Sequence, residues 1–441
     1  MRLKDILEIT NGKGINIKTL DKKIHKFCID SRKIGKGDFF VPIVGEKFDG
    51  HNFISESIEK GAIGYFTERE NLKYPNGILV KNSLEALKKI GSYKRKNLSS
   101  TVAITGTAGK TTTKELTNFI LSNFFKTYAT TGNLNNHIGL PLTLANIDES
   151  SEIGIFELGA SKIGDIRELI EISNPDIRVL VSVGYAHTEG FKSYEGVLKG
   201  KGEIFINSDM NVLPFKLNKY YKLKNCITFG EEIEADIKVS NIKITKDGTS
   251  GTVSYKNEKI ELKLPLFNKA IFYNISAVAG VLHYLNINPI KPLALLKDFQ
   301  LPYGRGRLIK LNNFQIIDDS YNANPLSVEN AIKTLNMIPT KKILILGDML
   351  ELGELSENLH RNIGKLILKT DINTIFLYGN ETKYIYDEIK AHKLAYYSDN
   401  KEALLKRLLD YLKSDKEYKT ILIKGSRGMK MEEYLEHLIN F

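Results

Sequence analysis

The segment TVAITGTAGKTTTKELTNFILSNFF, residues 101–125, constrains the fold of this chain more than any other. It has the pattern of an apolar strand, a glycine-containing turn and a helix, which is typical of the opening of a nucleotide-binding α/β domain. In the turn, glycines let backbone amides approach a phosphate, Lys110 supplies a positive charge and Thr111 supplies a hydroxyl for Mg²⁺. We therefore predict a phosphate loop over residues 105–113.

The spacing within this loop departs from the common phosphate-loop pattern. That pattern has a glycine five residues before the second glycine, where this chain has Ile104, and the spacing here is Gly106-x-x-Gly109-Lys110-Thr111. By itself such a string also suits a glycine turn with an exposed lysine. Its position between a buried strand and a helix favours the nucleotide site.

Apolar runs alternate with helical segments along much of the chain and predict an α/β fold of three domains. Residues 1–85 mix short strands with turns, residues 86–305 contain the phosphate loop, and residues 306–441 resemble a smaller, Rossmann-like parallel domain. Residues 232–265 change to strictly alternating patterns, which predicts an antiparallel insertion in a mostly parallel central sheet.

Composition argues against several other classes of protein. Hydrophobic residues make up 42% and charged residues 26% of the 441 residues, which is typical of globular domains. Cys28 and Cys226 are too few for a disulfide framework or a thiolate zinc site. The net charge is +11, yet only 11 of the 63 basic residues are arginine, the residue that nucleic-acid readers favour. We therefore predict no nucleic-acid partner.

Membrane and export signals are also missing from the sequence. No run approaches the roughly 18 consecutive apolar residues of a membrane span. The first ten residues, MRLKDILEIT, carry charges where a signal peptide needs an apolar core. We predict a cytoplasmic monomer without a membrane span.

Two polar residues follow apolar runs in the domain that contains the phosphate loop. Glu157 ends the run in SEIGIFELGA, and His187 follows the run in DIRVLVSVGYAH. Each alone suits an ordinary polar residue at a sheet edge. Because the carboxyl ends of parallel strands meet at one edge, the pair favours a Mg²⁺ site, although histidine is an unusual ligand for so hard an ion.

Three lysines, Lys192, Lys199 and Lys201, lie within ten positions. At about 100° per residue, Lys201 shares a helix face with three apolar residues, namely Val197, Ile204 and Phe205. Lys199 points elsewhere, and Glu203 is predicted to be its partner on the solvent side. Lys201 is then either a snorkelling lysine at the edge of the core or a buried amine with a lowered pKa that is open to modification.

Eight segments together carry a resemblance to a known family. They run in order through all three predicted domains: DSRKIGKGDFFVPIVGEKFDGHNF at 30–53, ITGTAGKTTTKE at 104–115, TGNLNNHIGLPLTL at 131–144, FELGASKIGDI at 156–166, AHTEGFKSYEGVLKGKGEI at 186–204, DDSYNANPLSVENAI at 318–332, LGDMLELGE at 346–354 and KGSRGMKME at 424–432. The chain resembles the Mur ligases of peptidoglycan synthesis over essentially its whole length.

The resemblance implies an ATP-dependent ligase that adds D-Ala-D-Ala to UDP-MurNAc-tripeptide through an acyl phosphate. ATP and Mg²⁺ are the implied cofactors, and the two precursors are the implied partners. The implied phosphate contacts are Lys110 and the loop residues Gly106, Thr107, Ala108, Gly109, Thr111, Thr112 and Thr113. The implied metal ligands are Thr111, Glu157 and His187, with Lys201 carried as a carbamate.

The remaining implied contacts are spread over the chain. Asn274 matches the adenine side, and Arg305 and Asp319 match the phosphate and ribose contacts of the third domain. The UDP-MurNAc portion would face Ser31, Arg32, Asn133, Asn135 and Asn136. D-Ala-D-Ala would lie near Asn322, Asn324, Lys424, Ser426 and Arg427, although DDSYNANP also suits a plain turn and KGSRG a general anion site.

Two departures from the family pattern concern the nucleotide. Many relatives have asparagine where this chain has Ala108, which leaves the backbone cradle intact but removes a side-chain contact. The glycine and basic residue that usually precede the adenine asparagine are missing from NKAIFYN, which weakens the assignment of Asn274.

Three alternative functions fit parts of the sequence. A ligase that adds the third peptide residue shares the first two domains, but its usual Asp-Asn-Pro-Arg motif is absent. A folylpolyglutamate-type ligase shares the core architecture, but DSRK and DDSYNANP argue against it. A basic ATPase that binds nucleic acid suits the net charge but not the scarcity of arginine.

Overall fold

The structure, a computed structural model, describes residues 1–245, 248–415 and 417–441. Packing divides the chain into two compact units. The first comprises residues 1–103, 121–159 and 165–176, and the second comprises residues 104–120, 160–164 and 177–441. The phosphate loop therefore belongs to the second unit.

The described strands and helices follow one another along the whole chain. The strands are β1 (Lys13–Ile15), β2 (Phe27–Cys28), β3 (Phe39–Phe40), β4 (Val44–Gly45), β5 (Phe48–Asp49), β6 (Gly64–Thr67), β7 (Gly77–Leu79), β8 (Ser100–Thr105), β9 (Thr127–Ala129), β10 (Ile153–Glu157), β11 (Ile177–Leu180), β12 (Met210–Pro214), β13 (Cys226–Gly230), β14 (Ile237–Thr245), β15 (Gly248–Tyr255), β16 (Glu258–Leu264), β17 (Arg307–Lys310), β18 (Phe314–Asp319), β19 (Lys341–Gly347), β20 (Thr374–Tyr378), β21 (Leu394–Ser398) and β22 (Lys419–Lys424). The α-helices are α1 (Leu3–Thr10), α2 (Ile54–Glu59), α3 (Ser83–Arg95), α4 (Lys110–Leu121), α5 (Gly139–Ala145), α6 (Asp165–Ser173), α7 (Thr188–Phe191), α8 (Tyr194–Gly202), α9 (Phe215–Tyr221), α10 (Ile271–Tyr284), α11 (Pro325–Asn336), α12 (Ser356–Leu368), α13 (Thr382–Ile389), α14 (Lys401–Ser414) and α15 (Glu432–Ile439). The 3₁₀ turns are Ser31–Lys33, Gly50–Phe53, Glu203–Phe205, Lys291–Asp298, Gly353–Leu355 and Arg427–Met429.

The first unit is built on a sheet with the strand order β1-β7-β6-β3-β2. Its strands are parallel except for β1, which pairs antiparallel with β7. The core of this sheet contains an aromatic series in which Phe39 meets Phe27 and Phe66 edge to face, with ring centroids 5.4 and 4.8 Å apart. The same unit contains β8, β10 and β9 in that order, and β9 and β10 run parallel.

The central sheet of the second unit has the order β16-β15-β14-β13-β12-β11. Strands β11 to β14 run parallel, and β14, β15 and β16 form an antiparallel meander. The predicted insertion at 232–265 is thereby confirmed. Beside it, the nearly all-apolar helix α10 is buried against the sheet.

The C-terminal part of the second unit contains another sheet, with the order β17-β18-β22-β19-β20-β21. Every pair in it is parallel except β17 with β18. Helices alternate with these strands, so the parallel α/β arrangement predicted for residues 306–441 is confirmed. The carboxyl ends of β18, β19 and β22 lie side by side and carry the residues described below.

These sheets confirm the α/β fold class. The domain boundaries near residues 85 and 305 stay a prediction, because the two compact units follow a different division of the chain. Within the described ranges, no helix combines the length and apolar character needed to cross a bilayer.

Candidate functional site

The phosphate loop lies between β8 and α4, where two glycines allow close packing. Gly109 has a φ of +83°, and a Cβ there would lie 2.7 Å from Oδ1 of Asn274 on α10. A Cβ on Gly106 would lie 3.0 Å from the backbone nitrogen of Ser182. Only glycine fits this backbone without displacing its neighbours. The structure thus brings the predicted adenine-side Asn274 into contact with the loop.

The segment after β11, residues 182–184, is hydrogen-bonded to the phosphate loop. The Thr107 amide donates to the Ser182 carbonyl at 2.9 Å, and the Ala108 amide donates to Ser182 Oγ at 2.9 Å. Thr107 Oγ1 donates to the Gly184 carbonyl at 3.1 Å and accepts from the Gly184 amide at 3.0 Å. These four hydrogen bonds fix the backbone of Thr107 and Ala108 against residues 182–184.

The cationic and hydroxyl groups of the loop are held by direct contacts. Lys110 Nζ donates to the carbonyls of Gly106 at 2.8 Å and Thr107 at 3.4 Å. The Arg305 guanidinium donates to Thr111 Oγ1 at 3.1 Å and stacks 3.9 Å from the ring centroid of Tyr321. The structure therefore brings two predicted phosphate contacts, Lys110 and Arg305, to one loop. The remaining loop residues, Thr112 and Thr113, are buried in the first turn of α4.

We expect Gly109→Ala to weaken nucleotide binding about tenfold. The Cβ of the alanine displaces the Asn274 amide from the loop, and a tenfold loss of affinity corresponds to about 1.4 kcal/mol. The measurement is ADP affinity by titration calorimetry. Gly164→Ala is the matched control, because Gly164 also has a positive φ, +99°, but has open space around its Cβ position. Equal losses in the two variants would assign the effect to backbone strain alone.

His187 immediately precedes helix α7 and has a left-handed backbone, at a φ of +49°. Its Nδ1 hydrogen bonds with the carboxylate of Glu351. Burial lowers the pKa of His187, the nearby cations of Lys201 and Lys110 lower it further, and the Glu351 carboxylate opposes them. A lowered pKa keeps the imidazole neutral, which is the form that binds metals.

Lys201 is buried, with 1% of its surface exposed, while Lys199 is exposed. Its Nζ donates to the Ala160 carbonyl at 3.1 Å and lies 5.5 Å from the ring centroid of Phe191. The predicted inward face is confirmed, although α8 ends at Gly202 and a 3₁₀ turn completes the face.

The predicted solvent-side pairing of Lys199 with Glu203 is wrong. Glu203 is buried, with 5% of its surface exposed, and its carboxylate accepts from the Gly164 amide at 3.0 and 3.1 Å. The α-helical spacing fails here because the α-helix has already given way to the 3₁₀ turn. Lys201 and Glu203 thus both hold residues 160–164 in place.

Glu157 lies in the first unit, at the end of β10, with 3% of its surface exposed. Its Oε1 accepts from Nδ2 of Asn135 at 2.8 Å, and its amide donates to Thr130 Oγ1 at 3.1 Å. The structure therefore brings Asn135, predicted to face substrate, to the predicted metal ligand Glu157. Nearby Asn133 and Asn136 are both exposed, and Asn136 Oδ1 accepts from the Gly139 amide at 2.8 Å.

Ser31 and Arg32 form a 3₁₀ turn elsewhere in the first unit. Ser31 is buried and its Oγ donates to Glu56 Oε2 on α2 at 3.3 Å. The Arg32 side chain is 84% exposed and donates to both carboxylate oxygens of Asp30, at 2.9 and 3.0 Å. The Asp30 contact holds this guanidinium at the surface, where a ligand has access to it.

Four of the five residues predicted to contact D-Ala-D-Ala meet at the carboxyl ends of β18 and β22. Lys424 Nζ donates to Asp319 Oδ2 at 2.6 Å and to the Asn322 carbonyl at 3.0 Å. Burial raises the pKa of Asp319, and the Lys424 ammonium opposes that shift. The Arg427 amide donates to Asn322 Oδ1 at 3.2 Å, and Ser426 Oγ donates to the Ala323 carbonyl at 3.2 Å.

Asn324 connects this group to the phosphate loop. Its Oδ1 accepts from the Ser327 amide at 2.9 Å, so it caps helix α11, and its Nδ2 donates to the Thr107 carbonyl at 3.3 Å. The residues predicted for the amine substrate and for ATP are therefore in direct contact within the second unit.

The donors predicted for Mg²⁺ are a hydroxyl, a carboxylate and an imidazole rather than several carboxylates. Over residues 1–245, 248–415 and 417–441, no group of three or more His, Cys, Asp or Glu side chains is placed to hold a metal ion. Thr111 and His187 belong to the second unit and Glu157 to the first. The oxygen donors of this set suit a hard cation such as Mg²⁺.

Sequence reasoning missed three elements of the site. Ser182 to Gly184, which clamp the loop, lie in the run VSVGYAH, where the pattern singled out only the histidine. Tyr321 lies within DDSYNANP and orients Arg305. Glu351 lies within LGDMLELGE, a segment that had no assigned role. Each missed residue lies in a segment that the sequence analysis had already singled out. Only the folded chain shows which of its side chains contact the site.

Comparison with protein families matches most of the chain. The profile of the Mur ligase family catalytic domain matches residues 23–97, that of the Mur ligase middle domain residues 104–282, and that of the Mur ligase glutamate ligase domain residues 304–427. A relative from Buchnera aphidicola subsp. Baizongia pistaciae, named UDP-N-acetylmuramoyl-tripeptide--D-alanyl-D-alanine ligase, is 37% identical over 100% of this chain and 98% of its own length.

Solved structures give the same match in three dimensions. A MurF crystal structure from Acinetobacter baumannii has a TM-score of 0.91 at 25% identity and covers 100% of this chain and 98% of its own. A MurF ligase structure from Thermotoga maritima in complex with ADP has a TM-score of 0.84 at 30% identity, over 95% of this chain and 98% of its own.

Proposed function

Because this chain belongs to the Mur ligase family, we propose that it is the ATP-dependent ligase that joins D-Ala-D-Ala to UDP-MurNAc-tripeptide. The observation that carries the proposal is the end-to-end match to a relative of that name. The contacts from Arg305 and Asn324 to the phosphate loop support it, because a ligase needs ATP and both substrates in one place. The enzyme would act in the cytoplasm, where ATP is available, as a monomer.

ATP is the first substrate, and the second unit supplies its contacts. Lys110 would leave the Gly106 and Thr107 carbonyls and turn to the phosphates, where a full negative charge replaces two neutral acceptors. Arg305 would reach the γ-phosphate from its position at Thr111, while Tyr321 restrains its guanidinium. Asn274 would accept the adenine beside Gly109, and Asp319 the ribose.

The first chemical step forms the acyl phosphate. A carboxylate oxygen of the tripeptide attacks the γ-phosphorus, a new P–O bond forms, and the bond to the bridging oxygen breaks so that ADP leaves. The attacking carboxylate, the γ-phosphate and the departing ADP are all anionic. Mg²⁺ held by Thr111, Glu157 and His187 would offset their repulsion. Ser31, Arg32, Asn133, Asn135 and Asn136 would hold the nucleotide-sugar end of the precursor.

The second step forms the amide. The amine of D-Ala-D-Ala attacks the acyl carbon, a C–N bond forms, the C–O bond to phosphate breaks, and the amine loses its extra proton. Asn322, Asn324, Lys424, Ser426 and Arg427 would bind this substrate. Lys424 and Arg427 suit its carboxylate, because both are cations at the sheet edge that also contacts the phosphate loop.

We further propose that Lys201 is carried as a carbamate. Its amine is buried, and its charge and that of Lys110 both act on His187, so a second ammonium is unfavourable there. The ammonium first loses one proton; the neutral amine then attacks CO₂, forms an N–C bond and releases a second proton, which turns the cation into an anion. The anion would suit a metal site better than the ammonium does.

The test of the proposed function is phosphate release from ATP with paired substrates. We expect turnover with UDP-MurNAc-tripeptide and D-Ala-D-Ala, and no turnover when either is omitted. Tripeptides ending in diaminopimelate and in L-lysine are compared to identify the third residue. Turnover with the dipeptide precursor and L-lysine or diaminopimelate, but not with D-Ala-D-Ala, would reassign the enzyme to the preceding step.

A further inference from the structure

Residues 348–353, which we call the bridging loop, join β19 to the 3₁₀ turn at Gly353–Leu355. This loop is the centre of LGDMLELGE, and the mechanism above gives it no role. One end of the loop contacts Ser426, which is proposed to bind the amine substrate. The other end contacts helix α7, which follows the proposed metal ligand His187.

The first end of the bridging loop is anchored on the C-terminal sheet. The Asp348 carboxylate accepts from the backbone amides that begin α13, those of Asn380, Glu381 and Thr382, at 2.9, 3.0 and 2.8 Å. The Met349 amide donates to His360 Nε2 at 3.1 Å. Because backbone and carboxylate are both held, the loop leaves β19 in a defined direction.

Ser426 receives the next residue of the loop. The Leu350 amide donates to Ser426 Oγ at 2.9 Å, and the Ser426 amide donates to the Asp348 carbonyl at 3.0 Å. Ser426 is one of the residues proposed to bind D-Ala-D-Ala, so the loop is hydrogen-bonded directly to the proposed amine site.

The other end of the loop packs against helix α7. Thr188 Oγ1, on a buried residue, donates to the Leu352 carbonyl at 2.8 Å, and the Glu189 amide donates to the Glu351 carbonyl at 3.4 Å. A Cβ on Gly353 would lie 3.3 Å from Glu189 Cα, so the two backbones are in close contact. These bonds bring Glu351 and His187 together.

Both residues of this pair have left-handed backbones, with φ values of +62° for Glu351 and +49° for His187. This conformation is unfavourable for residues with a Cβ and persists where surrounding contacts determine it. In this pair, the two left-handed residues are joined by a hydrogen bond between the Glu351 carboxylate and His187 Nδ1. Because the Glu351 side chain is 61% exposed, its ion pair adds little to the stability of the fold. Its hydrogen bond instead restrains the orientation of the His187 ring.

We propose that Glu351 is a positioning residue that keeps the proton of His187 on Nδ1 and directs Nε2 towards the metal. A carboxylate bonded to one imidazole nitrogen fixes the tautomer and ring orientation and so strengthens binding at the other. The bridging loop carries this carboxylate, so metal binding at His187 is linked to the occupancy of the amine site at Ser426. This inference rests on the proposed function, which assigns His187 to Mg²⁺.

The test compares Glu351→Ala with Glu351→Gln and with Glu354→Gln as the matched control. Glu354 is also exposed and lies three residues further on, so its variant removes the same charge from the same segment. The readout is Mn²⁺ affinity, followed by electron paramagnetic resonance in the presence of ADP and UDP-MurNAc-tripeptide. We expect Glu351→Ala to weaken Mn²⁺ binding about 10- to 100-fold, Glu351→Gln to weaken it less because its amide oxygen still accepts, and Glu354→Gln to leave it unchanged.

A double-mutant cycle with His187→Ala separates positioning from general support of the fold. In the His187→Ala background, Glu351→Ala should have no further effect on Mn²⁺ affinity, because it acts through that imidazole. If Glu351→Ala does not fold, Glu351→Gln carries the same test with a smaller shift. Unchanged Mn²⁺ affinity in folded Glu351 variants, or additive losses in the cycle, overturns the inference.

Ligation assays on the same wild-type and variant proteins distinguish failure of this inference from failure of the proposed function. Wild-type protein that does not ligate D-Ala-D-Ala to the tripeptide refutes the function and the inference that rests on it. Wild-type protein that ligates, while the Glu351 variants retain wild-type Mn²⁺ affinity and Mg²⁺ dependence, refutes only the inference. The predicted link to the amine site requires that D-Ala-D-Ala tighten Mn²⁺ binding in the wild type more than in Glu351→Ala.

Discussion

Lys201→Ala is expected to lower the rate of ligation by about 10²- to 10³-fold, the range seen when a group that stabilises charge in a transition state is removed. The lysine is 1% exposed and lies on the inward face of α8, where its charge affects His187. If it is carried as a carbamate, the variant loses an anion at the proposed metal site. The unfolding midpoint of the variant shows whether the fold persists without the Nζ contact to the Ala160 carbonyl.

Phosphate release and the thermal unfolding midpoint are the two measurements for this variant. Lys199→Ala is the matched control, since Lys199 lies two residues earlier on the same helix and is exposed. Bicarbonate or a short-chain carboxylic acid should partly restore Lys201→Ala, because either can place an anion in the space left by the side chain. A larger loss in Lys199→Ala than in Lys201→Ala would refute the assignment.

The carbamate itself has a separate readout. Wild-type protein equilibrated with ¹³C-labelled bicarbonate should show a carbamate resonance that Lys201→Ala lacks, while Lys199→Ala retains it. A full-strength resonance in Lys201→Ala would place the modification elsewhere.

Lys110→Ala is expected to lower turnover by a similar factor, about 10²- to 10³-fold, and also to weaken nucleotide binding. In the structure, Lys110 Nζ donates to two carbonyls of the phosphate loop, so its charge is held beside the proposed phosphate site. Removing it deletes the loop's own cation, although Arg305 remains at Thr111. Residual activity would then depend on Arg305.

Phosphate release at saturating substrates and ADP affinity by calorimetry measure the two effects separately. Lys126→Ala is a suitable control because Lys126 is exposed and follows the same helix along the chain. The double variant Lys110→Ala with Arg305→Ala should lose the residual activity. A kcat/KM for ATP within a few-fold of wild type in Lys110→Ala would mean that the loop does not bind the nucleotide as proposed.

Much of this molecule follows from local sequence patterns. The strand, glycine turn and helix at 101–125 predicted β8, the phosphate loop and α4, because each depends on residues close together in the chain. The alternating patterns at 232–265 predicted the meander of β14, β15 and β16 for the same reason. Helical periodicity also placed Lys201 on the inward face and Lys199 off it, and the burial of the two side chains agrees.

The same local rules failed where the backbone changed its type. The spacing that paired Lys199 with Glu203 assumed a continuous α-helix, but a 3₁₀ turn begins at Glu203, and the carboxylate is buried against the Gly164 amide.

Sequence by itself thus predicted the strand, turn and helix at 101–125, the antiparallel meander and the lysine that faces inward. Only the tertiary structure decided which distant groups meet: Ser182 with the phosphate loop, Arg305 with Thr111, and Glu351 with His187. These pairs are separated by 74, 194 and 164 positions, so no periodicity links them. They meet because loops that leave different strands and sheets of the second unit pack against one another, which depends on the whole fold rather than on local spacing.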